Sequence, residues 1–247
     1  MRALLLTVLA AAAHAQTWGA TTATSAEIVA DRDDVWTESR VAVGGQAAGL
    51  GGVVEAGYVE RYDQGAAFVG ADLYPALADG AYANVRARWA PSSDVTARLD
   101  LAAEAFVALG GGWEGSAGGR RLAFADQSVW IASASGARYL GPWYFRVQAS
   151  TVVDAGALPV SVRLLARHFL GDGAGGAFGE FWEVSAGRAE EAVVEAAGLS
   201  SVRDAWSASA RVQRRLAGPV GFSVGAGYVA DGDLSRTQAE AGVFVRW

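Results

Sequence analysis

Apolar residues alternate with polar or small ones at every second position through most of the chain beyond residue 15. The pattern is clear in Ala81–Trp89, where the odd positions are apolar and Arg86 and Arg88 occupy even positions. Successive side chains of a β-strand point to opposite faces, so this period predicts strands with one apolar face. About fourteen such segments, each of about ten residues, predict an all-β chain.

Two architectures share this alternation, the soluble β-sandwich and the membrane β-barrel. The polar face of a sandwich is normally rich in lysine, threonine and glutamate, and its loops often contain proline. Here lysine is absent, prolines number only five, and the polar positions hold arginine, glycine and serine. The sequence therefore favours a transmembrane antiparallel up-and-down β-barrel of about 14 strands over a secreted, lectin-like sandwich. Twelve strands are the alternative if Ala23–Asp31 and Val35–Val43 are irregular.

The first fifteen residues have the order of a secretory signal peptide. A single charge at Arg2 precedes an apolar run, and Ala13-His14-Ala15 supplies the small residues of a cleavage site. Residues 1–15 are therefore predicted to be a signal peptide, and residues 16–247 an outer-membrane barrel domain. The chain has no cysteine, which excludes disulfides and a cysteine-linked lipid anchor.

The connectors between segments alternate in length. Short ones are expected at Leu109–Gly112, Leu140–Pro142 and Ala217–Pro219, and longer ones include Asp154–Pro159, Ala189–Ser201 and Ala230–Thr237. Outer-membrane barrels have short periplasmic turns and longer external loops. Both ends of the strand set then lie on the same side, which requires an even strand number.

Charged residues within the alternating segments fall on the polar parity and are predicted to face the lumen. Besides Glu38 and Arg40, this set comprises Arg86, Arg98, Asp100, Glu104, Glu114, Arg120, Arg146, Arg163, Arg167, Arg211, Glu240 and Arg246. Two interpretations remain. The charges pair across strands and fill a narrow lumen, or the arginine surplus sets a positive field that favours anionic solutes. Pairing is favoured, because side chains are expected largely to fill the lumen of a barrel of this size.

Aromatic residues near segment ends are predicted to form girdles at the membrane surfaces, because an amphipathic ring has one apolar and one hydrated end. The predicted girdle residues are Trp89, Trp113, Tyr139, Trp143, Trp206 and Trp247. Outer-membrane lipid and lipopolysaccharide are the partners that this implies. Trp247 is also an aromatic C-terminal residue, which resembles the signal recognised by the barrel assembly machinery.

His168 is the only histidine beyond the predicted signal peptide. It is either an interfacial side chain or the base of a barrel enzyme acting on lipid or lipopolysaccharide. Parity directs it toward lipid or the rim, away from Ser161 and Arg163, so no catalytic residue and no enzyme is predicted. The acidic segments Asp31–Asp34 and Ala230–Leu234 lack EF-hand spacing, and no metal or cofactor is expected. The net charge of −6 argues against nucleic-acid binding.

A series of short motifs, in this order, resembles the YaiO-type outer-membrane barrels. They are Glu60-Arg61-Tyr62, Asp72-Leu73-Tyr74-Pro75, Gly80-Ala81-Tyr82-Ala83-Asn84, Gly112-Trp113-Glu114, Gly119-Arg120-Arg121-Leu122, Tyr139-Leu140-Gly141, Trp143-Tyr144, and Arg167 with Phe169 and Gly171-Asp172. The resemblance covers Trp36 to Gly187, with His168 where the family tends to have tyrosine or arginine. It implies a Gram-negative outer-membrane barrel linked to surface polysaccharide, and it supplies no catalytic residues. The expected function is a channel or an export or surface factor, with a His168-dependent lipid or lipopolysaccharide enzyme as the alternative.

Overall fold

The computed structural model describes residues 17–30, 34–47, 50–153, 160–170, 179–195, 198–231 and 234–247. The predicted signal peptide lies outside these residues. The described chain forms fourteen strands: β1 (Thr17–Val29), β2 (Asp34–Ala47), β3 (Leu50–Arg61), β4 (Gln64–Ala78), β5 (Ala81–Trp89), β6 (Leu99–Gly110), β7 (Trp113–Ala123), β8 (Ser128–Leu140), β9 (Trp143–Val152), β10 (Val160–Phe169), β11 (Phe181–Glu195), β12 (Gly198–Ala217), β13 (Val220–Asp231) and β14 (Leu234–Arg246).

Each strand pairs antiparallel with its sequence neighbours, and β1 pairs with β14 to close the barrel. The closure continues to the last residue, because Trp18 and Trp247 exchange backbone hydrogen bonds of 2.9 and 2.8 Å. A closed ladder leaves no edge of unpaired donors and acceptors facing the lipid. The predicted fourteen-strand up-and-down barrel is confirmed, and both Ala23–Asp31 and Val35–Val43 contribute to regular strands.

Contacts that skip strands identify the inner face of the wall. Arg88 of β5 binds Glu38 of β2 at 2.9 Å, although β3 and β4 lie between them. Side chains on the outside of a cylinder diverge, so such a contact is possible only within the lumen. Residues that lie directly opposite each other in the ladder point to the same face, so the register extends this assignment to every strand. Val147 and Leu164, which are paired, then lie on the outer face, where they are 53% and 52% exposed.

The outer face is apolar and has tryptophans toward both rims. By register, eight of the nine tryptophans face outward, and only Trp36 lies on the lumen face. Trp89 and Trp206 lie toward one rim, while Trp113 and Trp247 lie toward the rim that also holds the termini. Among the described residues, no helix is long and apolar enough to cross a membrane.

The connections follow the predicted alternation only in part. On the side away from the termini, only Tyr62 and Asp63 separate β3 from β4, and the longer loop predicted at Ala230–Thr237 was wrong, because β13 and β14 pair up to Asp231 and from Leu234. Toward the termini, Gly111–Gly112 and Gly141–Pro142 form short turns, but β10 and β11 are separated by residues 170–180.

The predicted loop Ala189–Ser201 was also wrong, because β11 and β12 continue as paired strands to Glu195 and from Gly198. In a hairpin, the two strands satisfy each other's backbone donors and acceptors. Strand pairing therefore continues through most of the segment in which a loop was predicted. The predicted loop Asp154–Pro159 lies outside the described residues.

Candidate functional site

The lumen wall between β5 and β7 is organised around Asp100, which is 8% exposed. Asp100 accepts two hydrogen bonds from Arg120, from Nε at 2.8 Å and Nη2 at 2.7 Å. Its Oδ2 also lies 3.3 Å from Nη2 of Arg86. Two cationic donors compensate the desolvation of this carboxylate. The two hydrogen bonds that Arg120 donates to Asp100 also fix the orientation of the Arg120 guanidinium.

A second carboxylate, Glu104 of β6, is reached from β9. Arg146 extends over two strands to place Nη2 at 2.5 Å from Oε1 of Glu104, and its Nε donates to Ser135 at 3.0 Å. Ser116 also binds Glu104. Gly118 makes room for this arrangement, since a Cβ there would lie 2.6 Å from the carbonyl oxygen of Ala103 and 2.9 Å from Cβ of Glu104.

Three further ion pairs span the wall in the same way. Arg88 crosses the ring of Phe68, with its guanidinium carbon 3.4 Å from the ring centroid, before it reaches Glu38. Glu240 of β14 lies between Arg211 of β12 at 3.2 Å and Arg40 of β2 at 3.5 Å. Each of these pairs links strands that are not hydrogen-bonded to one another, so the charged side chains tie distant parts of the cylinder together.

A chamber of about 440 Å³ opens among these groups inside the barrel. Five arginines border it. Arg86, Arg120, Arg146 and Arg163 face the lumen together with the carboxylate of Glu104, whereas Arg188 lies on the outer parity, with its guanidinium over the ring of Trp206. Small polar groups also line it: Ser133, Gln148, Ser150, Ser161 and Ser207. Arginine forks and hydroxyl groups on a hydrated wall can bind anionic or hydroxyl-rich solutes by hydrogen bonds.

The terminal end of the lumen holds a tyrosine cluster around Glu114, which is 8% exposed. The hydroxyls of Tyr82 and Tyr144 donate to the two oxygens of Glu114 at 3.2 and 3.3 Å. Tyr139 lies opposite Tyr144 in the register, with ring centroids 4.7 Å apart. The predicted membrane-facing girdle position of Tyr139 was therefore wrong: the register of β8 places it on the lumen face, because parity counted across the turn at Gly141–Pro142 differs between β8 and β9.

Most of the charged residues predicted from sequence lie on the lumen face of their strands. The ion pairs already described include Arg86, Asp100, Glu104, Arg120, Arg146, Arg211 and Glu240. Arg167 pairs with Glu183, which lies directly opposite it. Glu114 binds the tyrosine cluster, and Arg246 lies on the lumen parity at the end of β14. Arg98 differs, because it precedes β6 and binds Asp94 at 2.7 Å and the carbonyl of Ser93 within the same connection.

The other predicted girdle residues, Trp89, Trp113, Trp143, Trp206 and Trp247, lie on the outer parity. Three more outward tryptophans, Trp18, Trp130 and Trp182, were missed. The signal was present for Trp130 and Trp182, since each occupies the same parity as the apolar residues of its own segment. The serines of the chamber were also missed, because isolated serines on a polar parity resemble any hydrated wall.

His168 lies outside the lumen, in a row of rings that faces the membrane. The register aligns it with Trp143 and Trp182, and the ring centroids lie 4.8 and 5.7 Å from that of His168. Within the described part of the chain, no hydroxyl or carboxylate hydrogen-bonds to this imidazole. The same described part contains no group of three histidine, cysteine or acidic residues placed to hold a metal ion.

The connection from β10 to β11 is attached to the lumen face of β12 at the terminal rim. Glu180 accepts hydrogen bonds from the backbone N–H of Arg215 at 2.8 Å and from its Nε at 2.9 Å, and Gln213 donates to the carbonyl of Gly179. Burial alone would raise the pKa of the Glu180 carboxyl, but these hydrogen bonds and the charge of Arg215 outweigh it, so the pKa is lowered from its ordinary value.

Comparison with known proteins agrees with this geometry. A family model described as the YaiO membrane beta barrel domain matches residues 21–178. No match was found among curated proteins.

Among solved structures, a bacterial polysaccharide outer membrane secretin is similar, with a TM-score of 0.54 and 7% identity over 95% of this chain and 99% of that one. The translocator domain of the autotransporter NalP from Neisseria meningitidis has a TM-score of 0.48 and 8% identity, over 100% of this chain and 95% of that one. Salmonella typhi OmpF, in complex with daunomycin, has a TM-score of 0.46 and 8% identity, over 95% of this chain and 98% of that one.

Proposed function

The chain belongs to the YaiO family of membrane β-barrels and lies in the outer membrane, and on that premise we propose that it is a channel that lets polar solutes, saccharides among them, pass through its lumen. The observation that carries the proposal is the chamber of about 440 Å³ inside the closed wall, lined mainly by polar side chains. In a barrel sealed against lipid, a polar interior serves either to fill the cylinder or to conduct. The serine-rich side of this chamber leaves space where larger side chains would have filled it.

The distribution of side chains supports conduction along one side of the lumen. On the β5–β9 wall, Arg86, Arg120 and Arg146 are held by carboxylates of the same wall, as Arg120 is by Asp100. On the β9–β12 wall, Ser150, Ser161 and Ser207 line the chamber beside Arg163. Arginines held by wall carboxylates and short hydroxyl groups leave the space that the chamber occupies.

The link to polysaccharide is supported by the chemistry of the wall. Hydroxyl groups such as that of Ser150 and amides such as that of Gln148 form hydrogen bonds with sugar hydroxyls. An export or surface role for saccharide would use the same passage. The outward tryptophans support contact with lipid and lipopolysaccharide, and Trp247 supports recognition by the assembly machinery.

Recording from planar bilayers tests the channel. Refolded protein is expected to give discrete single-channel currents, and Ser150→Trp is expected to reduce the conductance because the indole would occupy the chamber. Ala149→Trp is the matched control, since Ala149 lies on the outer parity of the same strand and an outward indole leaves the lumen unchanged. A wild-type barrel that inserts and gives no current contradicts the proposal.

We also propose that the chain has no catalytic role. The surroundings of His168 support this, because Trp143 packs edge-on against the imidazole at 4.8 Å on the lipid side of the wall. Phospholipid and lipopolysaccharide incubated with the purified barrel are expected to remain intact. Hydrolysis that disappears in His168→Ala would overturn this part of the proposal.

A further inference from the structure

We propose that the chamber is a binding site for acidic saccharides, with Arg163 as the group that takes the sugar carboxylate. The inference rests on the proposed function, whose substrate class it names. Arg163 lines the chamber together with three other lumen-facing arginines and is exposed to the lumen. The site follows from which of these four guanidiniums already has a carboxylate partner.

Three of the four arginines are already engaged with carboxylates. Arg86 and Arg120 share Asp100, and Arg146 pairs with Glu104. Arg163 donates from Nη2 to the hydroxyl of Ser185 at 3.1 Å, and no carboxylate of the described chain lies within ion-pair distance of it. The exposed guanidinium borders the chamber, and its other N–H groups are available to an anion that enters.

The register explains why Arg163 lacks such a partner. Its two cross-strand neighbours are Gln148 on β9 and Gly187 on β11, and both are uncharged. Four residues along the same face, Arg167 lies opposite Glu183 and pairs with it. Two arginines of one strand therefore occupy contrasting surroundings, one paired within the wall and one open to the chamber.

Excess positive charge in the chamber favours an anion. Its four lumen-facing guanidiniums meet the two carboxylates of Asp100 and Glu104, and the nearby Asp72 is bonded to the amide of Asn84 at 3.1 Å. Cations thus outnumber acids even when Asp72 is counted. A planar guanidinium forms paired hydrogen bonds with a carboxylate, which makes a carboxylate a well-matched anion for Arg163.

The rest of the lining indicates a saccharide as the carrier of that carboxylate. Ser150, Ser161, Ser207 and the amide of Gln148 surround the approach to Arg163 and both donate and accept hydrogen bonds. The chamber volume of about 440 Å³ lies within the usual range of small-molecule sites. A sugar acid has a carboxylate for Arg163 and several hydroxyls for the serines and Gln148, whereas a simple inorganic anion interacts with Arg163 alone.

Calorimetric titration of the detergent-solubilised full barrel tests the site. Trigalacturonate is the acidic probe, maltotriose the neutral probe of equal length, and inorganic phosphate the simple anion. Wild-type protein is expected to bind trigalacturonate more tightly than either of the others. Equal affinity for maltotriose overturns the role of charge, and equal affinity for phosphate overturns the assignment to a saccharide.

Variants locate the binding at Arg163. Arg163→Gln is expected to weaken trigalacturonate binding about tenfold or more, the range for losing charge-assisted hydrogen bonds. Arg121→Gln removes the same charge from the outer parity of β7 and is expected to leave the affinity unchanged. Gln148→Glu is nearly isosteric and provides Arg163 with a carboxylate opposite it, so the same loss is expected there with less disturbance to folding.

The outcomes separate this inference from the channel proposal. A barrel that conducts but binds trigalacturonate no better than maltotriose overturns the inference alone. A barrel that binds trigalacturonate through Arg163 but passes no current overturns the channel and leaves the site. Unchanged binding in both Arg163→Gln and Gln148→Glu places the carboxylate elsewhere and overturns the assignment to Arg163.

Discussion

Arg163 lies directly opposite Gly187 in the ladder between β10 and β11, so no side chain lies directly across from it on β11. The next lumen-facing arginine of the strand, Arg167, lies opposite Glu183 instead. One face of one strand thus carries both a structural arginine and an arginine available to a solute. The contrast allows the contributions of charge to stability and to binding to be measured on the same strand.

Removing the paired arginine is expected to cost stability. Arg167→Gln leaves Glu183, whose side chain is 14% exposed, without its cation, and the free energy of unfolding should fall by about 1–3 kcal/mol. Arg163→Gln should change it by less than about 0.5 kcal/mol, because no carboxylate is left unpaired. Denaturant titration of both variants in lipid vesicles measures the difference, and equal losses would contradict the contrast drawn from the register.

Adjacent positions on β9 test which face meets the lipid. Val147 lies on the outer face near the middle of the strand, and Gln148 lies on the lumen face. Val147→Arg is expected to lower the free energy of unfolding by about 2–4 kcal/mol, because the charge would enter hydrocarbon. Gln148→Arg should cost far less in the hydrated lumen. A larger loss at 148 than at 147 would mean that the assigned faces are reversed.

The close packing at Gly118 is expected to tolerate no side chain. A Cβ there would meet the carbonyl oxygen of Ala103 at 2.6 Å and Cβ of Glu104 at 2.9 Å. Gly118→Ala should therefore displace Glu104 from Arg146 and destabilise the barrel by about 1–3 kcal/mol. Gly119→Ala is the control, since its nearest new contact is an ordinary 3.6 Å. Vesicle unfolding curves that coincide for the two variants would show that the neighbours of Gly118 yield freely.

The contribution of Glu180 is expected to depend on pH. Its pKa is lowered in the folded protein, so the stabilisation is present above the ordinary carboxyl value of 4.5 and is lost as the pH falls through the lower folded value. Glu180→Gln should reduce the free energy of unfolding at pH 7 by less than about 1 kcal/mol, the scale of an exposed pair. Unfolding titrations at pH 7 and at pH 3 should show the gap between the two proteins narrowing. A gap that widens in acid would contradict the lowered pKa.

Local sequence was sufficient for the direction in which most side chains point. Arg146 follows Phe145 and precedes Val147, and this alternation alone places it on the lumen face, as the register shows. Tyr139 shows the limit of the method, because it was assigned to the girdle as an aromatic residue near a segment end, whereas the register places it opposite Tyr144 on the lumen face. Parity holds within a strand but carries no information across a turn, whose length resets the face.

The sequence could not predict which charged residues form ion pairs with one another, for a related reason. Glu38 and Arg88 are fifty residues apart, and nothing in either segment indicates that Arg88 crosses the ring of Phe68 to reach β2. Arg163 and Arg167 likewise look equivalent in the sequence. Their difference arises only when β11 is laid beside β10 with Glu183 and Gly187 in register.

The period of the sequence by itself determined that this chain forms a sealed wall with an apolar outside, a polar inside and fourteen strands, because a strand's side chains alternate and lipid accepts only apolar ones. The tertiary structure alone decided the interior chemistry, that is, which arginines are neutralised, where Tyr139 points and where the chamber lies. Those features depend on the stagger between strands and on distances across the lumen, and both are set by closing the whole cylinder at once.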